Sequence, residues 1–144
     1  MQDLRTKIAA LDELSVREVH DLYKLRVDVF VGEQETPYYE IDDADIHPDT
    51  RHILILDGDE LVGCGRVVGN VIGRIISRRP GVGSHVVRTA MSLIDAPTAT
   101  LSAQSRLVGW YERFGFQACG PETLDTGVPH TPMEADLPGE KPGQ

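Results

Sequence analysis

The stretch Ile75-Ile-Ser-Arg78-Arg-Pro-Gly81-Val-Gly83-Ser84 decides how the rest of this chain is read. It leads from a β-branched run through a turn containing Pro80 and Gly81 into Val82, Val86, Val87, Ala90, Met91 and Ile94. Those six are spaced as on an amphipathic helix that closes ahead of Pro97. A strand that turns on glycines into a helix start makes an anion site. The first helical amides lack carbonyl partners, the helix dipole favours negative charge, and glycine lets phosphate oxygens approach the backbone closely. Arg78 and Arg79 add guanidinium forks suited to phosphate. By residue type alone, a structural turn flanked by two solvated arginines is the competing reading. No third glycine follows as in a dinucleotide fingerprint, and no Lys-Ser/Thr as in a P-loop, so both of those nucleotide readings weaken.

Upstream, the apolar runs His52–Leu56, Leu61–Val68 and Val71–Ile76 are separated by Asp57-Gly58-Asp59 and Gly69-Asn70, the pattern of an antiparallel meander. Before them, Ser15-Val-Arg-Glu18 has the spacing of a capping box. A helix over 16–31 is expected from the broad apolar stripe that follows it. The acidic segment from Glu33 to Thr50 reads as a long loop with at most a helical turn. Downstream, a short strand at Ala99–Ala103 precedes a helix over Leu107–Phe114, with Gly115 at the position of a left-handed cap. Strands are expected from Phe116 to Cys119 and from Pro129 to Glu134, around a turn at Asp125-Thr-Gly127. The fold class is α/β in the α+β sense: a single domain over 1–137 and a frayed Pro/Gly-rich tail over 138–144.

The 144 residues suffice for one core, and the hydrophobic fraction of 40% with 26% charged residues is that of a packed globular domain. A net charge of −9 repels the phosphate backbone and argues against nucleic acid as a partner. The apolar runs are far too short to span a bilayer. Cys64 and Cys119 lie far apart with no C-x-x-C spacing and no apolar leader before them, which points to a reducing, cytoplasmic setting with both residues packed in the core. Asp42, Asp43 and Asp45 solvate the acidic loop or, second to that, grip a cationic amine. They lack the ligand periodicity of a calcium loop, and no metal is expected.

A second segment, Trp110-Tyr-Glu-Arg-Phe-Gly-Phe116, ends a helix and feeds a strand. Tyr111 on that helix is either a half-buried aromatic or a phenol able to protonate a departing thiolate. Taken together, Arg78-x-x-Gly81-x-Gly83 and Tyr111-x-x-x-Gly115-Phe116 resemble the Q/R-x-x-G-x-G/A and Y-x-x-x-G-F motifs of the GNAT superfamily of N-acetyltransferases. A dispersed set narrows the resemblance to its ElaA-like branch: Leu25-Arg-Val-Asp-Val-Phe30, Glu33-Gln34, Pro37-Tyr38, Asp42, Asp45, His52, Arg66 and Gly127-Val-Pro-His130. The resemblance spans roughly Ser15 to Met133. Arg79, Asp43 and Leu124-Asp-Thr-Gly127 depart from the usual residues of that branch, and the stretch around Gly69 is shortened.

The resemblance implies a mostly antiparallel central sheet, flanked by helices and splayed into a coenzyme A cleft. It implies acetyl-CoA as cosubstrate, its pyrophosphate held by Ser77, Arg78, Arg79, Gly81, Val82, Gly83 and Ser84, with Gln104 hydrogen-bonding the coenzyme. Backbone amides of Ile75 and Ile76 would polarise the thioester, and Tyr111 would assist thiolate release. Phe30, Glu33, Gln34, Asp42 and Arg66 would bind the acceptor, a small-molecule or peptide amine. An alkylammonium with a pKa of about 10.4 must lose a proton before attack, and Glu33, His52 and His130 are the candidates to receive it. Two alternatives keep the fold: transfer from a different acyl-CoA, or a coenzyme A-binding module that has lost transfer. Monomer and homodimer are both compatible with the sequence.

Overall fold

Ser15 starts the first long helix as its spacing to Glu18 requires. Ser15 Oγ accepts from the Glu18 amide at 3.1 Å, and Glu18 Oε1 accepts from the Ser15 amide at 2.8 Å. The structure is a computed structural model describing residues 4–33 and 40–138. In it helix α1 spans Val16–Arg26 and widens into a π-helical turn over Val27–Glu33. The expected helix over 16–31 is therefore a coil whose pitch changes directly after Arg26, a charged residue that is wholly buried.

A strand absent from the sequence reading, β1 (Arg5–Ala9), precedes α1. Its burial is mostly one-sided and partial, so it carries little apolar signal. The meander forms as β2 (Arg51–Asp57), β3 (Glu60–Val68) and β4 (Val71–Ser77). After α2 (Val82–Leu93) come β5 (Thr98–Gln104), the short helix α3 (Val108–Glu112), β6 (Gln117–Ala118), β7 (Thr123–Asp125) and β8 (Val128–Asp136). Strand order is β1-β2-β3-β4-β5-β8-β6, with β7 pairing β8. Among the described residues every strand pairing is antiparallel except that of β4 with β5.

Both faces of the sheet are covered, which is why Ile53-Leu-Ile-Leu56 is apolar without alternation. Ile53 and Ile55 join the cluster on the α2 side, while Leu54 joins the cluster of Leu22, Val29, Cys64 and Ile76 on the α1 side. Helix α2 sits close to β3 because Gly63 and Gly65 leave room for it. A Cβ on Gly63 would collide with Val82 Cγ1, and one on Gly65 would meet Val86 Cγ1 at 2.6 Å. Val82, Val86 and Val87 are buried beneath that face, each contributing about 1.5–3 kcal/mol.

Two expectations are corrected here. Cys119 is exposed rather than packed, because β6 lies at the sheet edge; Cys64 is buried, and burial pushes its thiol up to about 12. Asp45 does not solvate its loop: it is fully buried within ion pairs. Pro138 is the only residue of the expected tail among the described residues. Among the described residues no helix is long and apolar enough to cross a membrane.

Candidate active site

The parallel neighbours create the cleft. β4 and β5 are paired at Val71 opposite Thr100, with the Thr100 amide donating to Asn70 O at 2.9 Å, and among the described residues no further ladder pair joins them. On its other side β4 carries an extra residue: Cys64 faces Ile76 and Arg66 faces Gly73, so two steps on β3 answer three on β4. Arg74, inside that bulge, adopts φ 54°, a left-handed conformation that L side chains rarely take. The bulged segment Gly73–Ile75 lines one wall of a cleft of ≈ 410 Å³, and Ser102 and Gln104 of β5 line the other. A second concavity of ≈ 390 Å³ opens at the start of α2. The two share Ile75, Leu107 and Tyr111.

At the second concavity the geometry suits an anion. Gly81 holds φ 82° as the residue before α2, a conformation glycine adopts without cost. The Val82 amide is taken by the Arg79 carbonyl at 3.2 Å, and the His85 amide by Gly81 O. The amides of Gly83 and Ser84 have no partner among the described residues, and both residues line the concavity. Ser77 lines it too, its hydroxyl donating to Arg79 O at 2.8 Å. No acidic residue contributes to this lining among the described residues. A pyrophosphate therefore fits the first turn, with Gly83 and Ser84 as the open donors and Val82 as packing.

The arginines expected to reinforce that site are occupied. Arg78 donates to Glu33 at 2.5 and 3.1 Å, and its amide donates to Val62 O at 2.8 Å. Arg79 pairs with Asp57 and, at 3.0 Å, with Glu60. Glu33 consequently is not placed as a base: its hydrogen bond to Arg78 holds the carboxyl below its usual range, and it lines neither concavity.

Tyr111 lies at the junction of the two spaces. It is 8% exposed, and its hydroxyl has no hydrogen-bond partner among the described residues. Trp110 and Phe116 meet its ring edge-on. Burial pushes the phenol up to about 12, so it is protonated across the neutral range. On the other side of the cleft, His130 of β8 stands opposite Gln104. Its Nδ1 lies 2.9 Å from Val128 O. A carbonyl only accepts, so Nδ1 carries the proton and Nε2 keeps the lone pair of the neutral ring.

His52 is set apart from this chemistry. It is wholly buried, its Nε2 donates to Asp45 O at 2.9 Å, and Nδ1 has no partner among the described residues. Burial lowers its pKa, and it lines neither concavity. The expected candidate base is thus a structural histidine beneath the loop. Ile76 likewise points into the α1-side core, whereas Ile75 borders both spaces. Phe30 and Arg66 line the cleft; Gln34, with Pro37 and Tyr38, lies outside the described residues.

Asp42 is bound to arginines, accepting from Arg66 at 2.8 Å and from Arg74 at 3.4 Å. It belongs to a network that sequence reasoning missed. Arg26 reaches Glu40 Oε2 and Asp45 Oδ1, both at 2.8 Å, and Arg74 reaches Glu40 Oε2 at 2.6 Å. The signal for Arg26 was present: it falls on the buried stripe, four residues after Leu22 and three before Val29. Glu40 and Arg74 carried no such mark. Arg74 depends on the bulge, and Glu40 on the path of a long loop.

A splayed sheet, open amides at a helix start beside the splay, and a tyrosine between the two spaces agree with what the family comparison finds. Residues 21–137 match the model for the acetyltransferase (GNAT) domain. The chain belongs to the GNAT acetyltransferase family. Relatives within it include the protein ElaA of Escherichia coli, 36% identical over 141 residues, covering 87% of this chain and 92% of that protein. The UPF0039 protein Rv2851c of Mycobacterium tuberculosis is 34% identical over 135 residues, covering 84% and 86% respectively. Among solved structures, an acyl-CoA N-acyltransferase from Pseudomonas aeruginosa superposes with a TM-score of 0.84 at 30% identity, covering 91% of this chain and 99% of that one. The ElaA structure gives a TM-score of 0.83 at 32% identity, with 92% and 99% covered.

Proposed function

We propose that this GNAT-family chain is an acyl-CoA N-acyltransferase that uses acetyl-CoA and a primary amine, the amine attacking the thioester directly. The observation that carries the reading is the position of Tyr111 between an anion-binding helix start and a cleft large enough for a small acceptor. When bound, acetyl-CoA supplies an activated acyl group. The Gly83 and Ser84 amides bind its pyrophosphate, and the bulged segment at Ile75 orients the thioester beside the cleft. His130 Nε2 takes a proton from the acceptor ammonium; as the C–N bond forms and the C–S bond breaks, the Tyr111 hydroxyl gives its proton to the departing sulfur and is restored by the second proton that the acylated nitrogen sheds. A cytoplasmic location accords with two free cysteines, which persist as thiols in a reducing compartment.

The test is calorimetric titration with acetyl-CoA, coenzyme A and NADH, followed by thiol release across a panel of amines. Binding of the first two but not of NADH supports the reading. Absence of binding by both coenzyme A species removes it.

A further inference from the structure

One wall of the cleft is charged, and the bonds made by Arg66 and by the aspartates behind it do not suit a simple cation. Resting on the acyltransferase reading above, we infer that the acceptor is an amine that also bears a carboxylate, an amino-acid-like molecule, and that Arg66 binds that carboxylate.

Arg26, Arg66 and Arg74 face Glu40, Asp42 and Asp45, three charges of each sign. The two aspartates are committed. Asp45 Oδ1 accepts from Arg26 and Arg66, Asp45 Oδ2 accepts from Arg26 and from the Asp42 amide, and both Asp42 oxygens accept from arginines. Neither aspartate lines the cleft, so an ammonium arriving there meets the guanidiniums of Arg66 and Arg74 before any carboxylate of this network.

Arg66, in contrast, retains donors. Its two bonds, at 2.8 Å to Asp42 and 3.1 Å to Asp45, both leave from Nη1. Nε and Nη2 have no hydrogen-bond partner among the described residues, and neither belongs to the sealed-off atoms. The side chain is 11% exposed and lines the same cleft as Tyr111 and His130. Nε–H and Nη2–H form one straight edge of the guanidinium, the geometry that receives two carboxylate oxygens in parallel. The carboxylates on Nη1 hold the fork in place before a ligand arrives, which lowers the ordering cost of binding.

The rest of the cleft complements the other end of such a molecule. Asp125 lines it and makes no side-chain bond or ion pair among the described residues, so it is open to an ammonium beside His130. Val68, Val71 and Leu101 offer an apolar wall, which favours an aliphatic or aromatic side chain. A dianionic phosphate suits the site less, because Asp42 and Asp45 lie directly behind Arg66.

The experiment measures thiol release from acetyl-CoA with leucine, valine, methionine and phenylalanine, each beside its amide and its decarboxylated amine, and with O-phosphoethanolamine. At least one free acid should exceed its amide and amine in kcat/KM by about tenfold or more, the scale of a charge-assisted hydrogen-bond pair. Arg66→Lys keeps the charge but loses the fork. It should reduce kcat/KM for that acid by about ten- to a hundredfold, chiefly through KM, while calorimetric acetyl-CoA affinity shows that the variant is folded. The inference is overturned if acetyl-CoA binds and amides, plain amines or O-phosphoethanolamine are used as well as the acids. It is overturned equally if acetyl-CoA binds and no acid is turned over, or if Arg66→Lys leaves the preference intact. Failure of acetyl-CoA and coenzyme A to bind at all removes the acyltransferase reading first, and this inference with it.

Discussion

Replacing Gly83 by glutamate tests the anion site by charge, with glutamine as the control of equal bulk. A Cβ at position 83 would lie 3.3 Å from Ser77 Cβ and 3.4 Å from Trp110 Cζ2, tight contacts that small shifts relieve. Both variants should therefore fold, with a stability change of about 1 kcal/mol that they share. What they do not share is a negative charge in the concavity that receives pyrophosphate. At about 5 Å and an effective dielectric of about 20, one unit charge against another costs about 3 kcal/mol, and solvent at the open mouth reduces this to about 1.5–3 kcal/mol. Coenzyme A should thus bind the Gly83→Glu variant roughly ten- to a hundredfold more weakly than Gly83→Gln, as read by calorimetry. The gap should narrow as salt is raised from about 0.05 to 0.5 M, since the Debye length shrinks. Equal affinities for the two variants, or a gap indifferent to salt, would refute the placement of the pyrophosphate at this helix start.

Tyr111→Phe removes a hydroxyl that has no partner among the described residues, so stability and coenzyme A affinity should hold while kcat falls about a hundredfold, measured by thiol release. Because that phenol is pushed up to about 12, the parent enzyme should show no loss of turnover from its ionisation below pH 10. His130→Gln should slow turnover at pH 7, with the deficit closing as the pH nears about 10 and the acceptor amine deprotonates unaided. A deficit constant with pH would remove His130 as the base.

Stability should also report the buried network. His52 has its pKa lowered by burial, so below its ordinary 6.5 the unfolded chain binds a proton that the folded chain refuses. Its contribution is whole above that pH and is lost as the pH falls, by up to about 1.4 kcal/mol per unit. Asp45 extends the decline. Burial pushes its carboxyl up, but bonding to Arg26 and Arg66 outweighs this and holds it below its ordinary 3.8. Its share is therefore present above 3.8 and lost as the pH drops through the folded value. Urea unfolding at pH 8, 6 and 5 should show the first decline, and His52→Gln should flatten it.

What the sequence determined by itself is what local rules govern. The Ser15–Glu18 box, the glycine turns of the meander, the step from Ile75 through Gly81 into α2 and the cap at Gly115 each rest on neighbours within a few residues. The first-turn amides at Gly83 and Ser84 and the position of Tyr111 were legible for the same reason. Only the tertiary structure could decide how groups of like chemistry divide their labour. Glu33, His52 and His130 were equivalent as candidate bases until packing gave Glu33 to Arg78, sealed His52 under Asp45 and left His130 in the cleft. Asp42 and Asp45 read as loop solvation first and as a grip on a cationic amine second, whereas in the fold Arg26, Arg66 and Arg74, brought together from α1, β3 and β4, take their oxygens. An ion pair across the sheet depends on register, on a bulge at Arg74 and on the path of a long loop, and none of these leaves a periodic trace in the chain.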